Sequence, residues 1–170
     1  MASPQNIIRR IFGDRKLPEN LSNEAYDKLM QEQFPQWIKE FEEGGFLEKT
    51  KMTPIASEEE FLSKLQEHEN DLMVIKYWKH GCIPCLSMAE MLKETEAVCQ
   101  QKYGKEGPGR IVWYSVDTKK ISSRQLVDYQ LVSGTPMVQT FTGLRQVGDE
   151  VREMNTADVL KELEKRRPKQ

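Results

Sequence analysis

Long hydrophobic runs are missing from this sequence. The longest, such as Leu72-Met73-Val74-Ile75, fall far below the ~20 residues needed to cross a bilayer, so no segment is expected to span a membrane. Charge of one sign is missing as well. Lys and Arg number 25 against 27 Asp and Glu, for a net charge of −2, and neither nucleic acid nor an anionic lipid surface is indicated as a partner. Cysteine is scarce and odd in number, with three in the chain. Two of these stand only two residues apart, which is not the pattern of a secretory disulfide framework, so a reducing compartment is the default. Internal repeats and low-complexity tracts are absent too. What is present is the balance of a soluble globular chain, 38% hydrophobic and 31% charged. Its 170 residues suffice for one domain of ordinary size plus an appendage.

The beginning of the chain is basic, with Arg9, Arg10, Arg15 and Lys16 against the single acid Asp14. The stretch Ile7-Ile8-Arg9-Arg10-Ile11-Phe12 reads as a short basic amphipathic helix of mitochondrial targeting type, or as a solvated basic arm. The first reading places the protein in the mitochondrial matrix, the second in the cytoplasm. Ser22 to Phe46 carries apolar residues at helical spacing, among them Tyr26, Leu29, Met30, Phe34, Trp37, Ile38 and Phe41. Pro35 is expected to kink this helix or to open a second one, and Gly44-Gly45 to end it. Leu47 to Met52 is short and polar, and the boundary is drawn there: residues 1–50 form a helical extension and residues 51–170 the main domain. The stripe of Trp37, Ile38 and Phe41 either packs on that domain or offers a docking surface to a protein partner.

From Lys51 the signals alternate between strand and helix. Lys51 to Ile55 is a short strand candidate, and Ser57-Glu58-Glu59-Glu60 is a capping box ahead of Phe61, Leu62 and Leu65. Asp71 to Trp78 reads as a buried strand. Cys85, Met88, Ala89, Leu92 and Cys99 then share one helical face that ends near Gly104. Ile111 to Val116 is a second strong strand, and Ser122-Ser123-Arg124-Gln125 offers a capping box for a short helix. Pro136 to Phe141, a turn near Gly143, a weaker strand over Leu144 to Val151 and a helix over Thr156 to Arg166 complete the series. This order predicts an α/β fold with a central mixed sheet flanked by helices.

Cys82-Ile83-Pro84-Cys85 falls where the Asp71–Trp78 strand gives way to a helix. That position puts Cys82 at the helix's amino end, where free N–H groups and the dipole favour a thiolate below the ordinary pKa of ~8.5. Cys82 is then the nucleophile, and Cys85 resolves the mixed disulfide. Pro84 suits the first helical turn. His80, if protonated, would favour the thiolate further. Metal is not expected, because a closed zinc site needs four ligands and only His80 lies near the pair in sequence.

The segment Val74-Ile75-Lys76-Tyr77-Trp78-Lys79-His80-Gly81-Cys82-Ile83-Pro84-Cys85 resembles the active-site region of the thioredoxin family, and Thr135-Pro136 stands where that family carries a cis-proline loop. The resemblance spans approximately Lys51 to Lys165. It implies a thioredoxin-like fold and a thiol–disulfide oxidoreductase acting on protein thiols with no bound cofactor. It also implies that Trp78, Thr135 and Pro136 border the substrate peptide. The chain departs from the family pattern at Gly81, where a tryptophan is usual, at Ile83, where a glycine is usual, and at Lys76, which replaces a buried acid. Lys76 could stabilise a Cys85 thiolate or act as a base. A different class of reading is a weakly active or inactive accessory subunit of a larger complex, docked through residues 1–50. Cys99 and Trp113 read as core.

Overall fold

The computed structural model describes residues 4–169. Seven helices among the described residues surround one sheet. Helix α1 covers Pro4–Phe12, α2 Asn23–Phe41, α3 Leu47–Thr50, α4 Glu58–Glu67, α5 Ile83–Tyr103, α6 Arg124–Tyr129 and α7 Thr156–Arg166. The strands are β1 (Thr53–Pro54), β2 (Leu72–Trp78), β3 (Ile111–Asp117), β4 (Met137–Thr142) and β5 (Arg145–Gln146), arranged in the order β1-β3-β2-β4-β5. Strands β1, β3 and β2 run parallel, whereas β4 and β5 are antiparallel to their neighbours. No helix among the described residues is long and apolar enough to cross a membrane.

Strand β2 is buried along almost its whole length, and its alternating side chains sort into two layers. Leu72 and Val74 join Met88, Leu92, Cys99, Val159 and Leu163 in a core beneath α5 and α7. Met73, Ile75 and Tyr77 join Phe61 and Leu126 in the opposite layer, beneath α4 and α6. Lys76 shares the face of Leu72 and Val74, so the fold directs a lysine toward the helix that begins at the cysteines.

The extension supplies a third cluster. Ile7, Ile11, Ile38 and Phe46 pack with Leu86 and Ala89 of α5, flanked by Phe34, Trp37 and Phe41. The stripe on α2 thus lies against its own chain. Around it, Arg10 pairs with Glu90 at 2.5 Å, and the Arg15 guanidinium sits 4.9 Å from the Trp37 ring centre while pairing with Glu40.

Several local expectations change. Helix α2 continues through Pro35 as one helix and no second one opens there; Pro35 and Gln31, whose carbonyl the missing N–H frees, are both on the exposed side. Gly44-Gly45 interrupts the helix without ending it. Gly45 adopts φ 114°, and the chain then winds again into α3, which turns an apparently polar linker into a helix with Thr50 buried. Ser57 caps α4 as expected, accepting from the Glu60 N–H at 3.1 Å, while the Glu60 carboxylate accepts from Ala56. The second capping box does not form. A 3₁₀ turn over Ile121–Ser123 precedes α6, and the buried Ser123 hydroxyl has no hydrogen-bond partner among the described residues. The last strand shrinks to Arg145–Gln146.

Candidate functional site at the start of α5

Cys82 is the N-cap of α5. Its sulfur accepts from the Cys85 N–H at 3.3 Å, and it is joined to Cys85 in a disulfide with Cα atoms 5.2 Å apart. Pro84 lies in the first turn, where its missing N–H costs no helical bond. Gly81 has φ 78°, a left-handed conformation that a tryptophan would adopt only under strain.

The loop before β4 comes up to the pair from the other side. The Thr135–Pro136 peptide bond is cis, and both the carbonyl oxygen and the hydroxyl of Thr135 lie 3.8 Å from the Cys82 sulfur. Trp78, at the end of β2, has its ring 4.6 Å from that of His80. The His80 ring does not hydrogen-bond either sulfur among the described residues. Its nitrogens instead face Glu42 at 3.5 Å and Asp117 at 4.0 Å. The fold thus gathers Trp78, Thr135 and Pro136 around the pair and turns His80 toward carboxylates.

Lys76 is only 5% exposed. It forms no hydrogen bond or ion pair with any described residue. Burial, with a smaller push from the positive charge of Lys93 and an opposing pull from Glu96, brings its ammonium pKa down from 10.5 to about 8. Lys76 lines a cleft of about 330 Å³ together with Cys85, Trp78 and Ser115, whose other walls are Phe46, Leu47, Glu48 and Thr50 from the end of the extension, Lys51, Met52 and Pro54 from the start of the main domain, and Leu86 and Ala89 from α5. Cys99 sits in the core, where burial pushes its thiol up to about 11, as suits an inert cysteine. Trp113 is core as well.

Glu42 was not legible as a site residue. It is 3% exposed, and its carboxylate accepts from the Gly81 N–H at 3.3 Å, directly beside Cys82 in sequence. In the sequence it is one acid among several at the end of a surface helix, and no spacing distinguishes it.

No protein-family model and no curated protein matches the chain. Solved structures do. Human ERp44 (form II) superposes with a TM-score of 0.59 at 13% identity over 68% of this chain and 30% of its own, so the present chain spans under a third of that protein. Mitochondrial thioredoxin 3 of Saccharomyces cerevisiae, in its oxidised form, gives 0.54 at 19% identity over 69% of this chain and 97% of its own. Fasciola hepatica thioredoxin gives 0.53 at 15% identity, covering 68% and 99%. The strand order, the position of the disulfide and these neighbours agree, and the chain therefore has a thioredoxin-like fold.

Proposed function

We propose that this protein is a thiol–disulfide oxidoreductase that acts on protein cysteines through Cys82 and Cys85. The observation that carries the reading is the disulfide at the α5 amino end, with the Thr135 backbone 3.8 Å from Cys82. In the reduced protein, Cys82 is the thiolate nucleophile, favoured by the amino end of α5. It attacks a substrate disulfide, forming a Cys82–substrate bond and releasing one substrate thiolate. Cys85 then attacks the Cys82 sulfur, closes the intramolecular disulfide and expels the second substrate thiol. Two electrons pass from the pair to the substrate. Thr135, Pro136 and Trp78 border the approach. A protonated Lys76 on the wall it shares with Cys85 favours the thiolate needed for the second step.

Redox titration against a dithiol buffer, followed by reduction of insulin, tests the reading. The expected result is a reversible two-electron transition with turnover that Cys82→Ser abolishes, while Cys85→Ser accumulates the mixed disulfide seen by mass spectrometry. A pair that stays redox-silent overturns the proposal.

A further inference from the structure

The cleft beside Cys85 joins two features that do not ordinarily occur together. Its walls are mostly apolar, contributed by Phe46, Met52, Leu86 and Ala89, and its volume lies at the lower end of the ~300–1,000 Å³ typical of small-molecule sites. Among these walls stands Lys76, 95% buried and without a carboxylate partner. A buried cation is costly unless a counter-charge meets it, and a methionine here would pack with no such penalty. The other charges nearby are already matched. On α5, Lys93 pairs with Glu96 at 2.9 Å, and where the extension meets the main domain Lys51 pairs with Glu48 at 2.6 Å. One unmatched positive charge on the wall of a compact apolar cleft calls for one negative charge carried on an apolar body.

We propose that this cleft binds a small amphipathic monocarboxylate, its hydrocarbon body against Phe46, Met52 and Leu86 and its carboxylate paired with Lys76. A polyanion finds no second free cation among the described residues that line the cleft, and an ammonium ligand is repelled. The extension thus acts as one wall of a binding site, since Phe46, Leu47 and Thr50 precede the first strand.

The test uses the oxidised full-length protein and needs no turnover, so its outcome is independent of the redox reading. Octanoate is titrated at pH 7 with amide chemical shifts as the readout, with octanol and octylammonium in parallel. Octanoate is expected to give saturable shifts around Met52, Ala89 and Ser115, and octylammonium none. Lys76→Met should weaken octanoate at least tenfold while retaining octanol. In the wild type, octanoate affinity should fall as pH rises from 7 to 10, by up to about tenfold per unit once Lys76 has lost its proton. The groups bearing on that titration are Lys93 and Glu96 of α5 and the paired Glu48 and Lys51 at the rim, while Cys85 is held in the disulfide. Equal binding of octanoate and octylammonium, affinity indifferent to Lys76→Met and to pH, or no saturable shift at all would each overturn the proposal.

Discussion

Lys76 shows how one residue can set the pH response of the whole molecule. Its pKa is 10.5 when unfolded and about 8 when folded, so between these values the unfolded chain binds more protons and stability rises with pH. The penalty is fully present below about pH 8 and is relieved by pH 10.5. Cys99, raised from 9.0 to about 11, acts in the opposite sense above pH 9, and Tyr77, raised from 10.0 by burial, does so above pH 10. The window between pH 8 and 9 is therefore where Lys76 stands out. Urea unfolding of the oxidised protein should show stability rising there by up to about 1 kcal/mol per pH unit, and Lys76→Met should flatten the rise. The same variant should be more stable than the wild type at pH 7, by roughly 3 kcal/mol at most. A flat profile in the wild type would mean that water reaches the ammonium.

At the scale of elements, periodicity and caps were sound guides wherever one face of an element meets a large core. Strands β2 and β3 and helices α5 and α7 appear close to where the pattern placed them, because each buries a continuous apolar face. The misreadings share a cause. Pro35, Gly44-Gly45 and Ser122-Ser123 are local signals whose outcome depends on what lies alongside: an exposed carbonyl, a neighbouring helix, a preceding 3₁₀ turn. Helix α1 is the clearest case. Nine residues are too few to hold a helix alone, so its stability comes from packing Ile7 and Ile11, 0% and 1% exposed, against α5. Ile11→Ala should accordingly cost about 2–5 kcal/mol, measured by urea denaturation. If the cost is under ~0.5 kcal/mol, as at an ordinary surface site, the extension is not part of the cooperative unit.

For the molecule as a whole, the extension and the cysteine loop are connected through Glu42. Its carboxylate holds the Gly81 N–H and faces His80, so the loop that presents Cys82 is tied to residues forty positions earlier in the chain. Glu42→Ala leaves that N–H without its partner and should destabilise the fold by about 1–3 kcal/mol. Amide exchange at Gly81 should accelerate in the variant more than exchange in the β2 core. Uniform acceleration would indicate a general loss of stability, and no change at Gly81 would show that the contact does not hold the loop.

Read alone, the sequence determined the α/β class and the position of the cysteine pair at a strand-to-helix junction, because periodicity and helix-end chemistry are local properties, whereas the place of Thr135-Pro136 beside the pair was an expectation carried by the family resemblance. Only the tertiary structure decided that Lys76 stands unpaired on the wall of a cleft, that the extension closes that cleft, and that Glu42 reaches the Cys82 loop. Each of these joins residues distant in the chain. Burial and pairing, which set their chemistry, arise only when the elements pack.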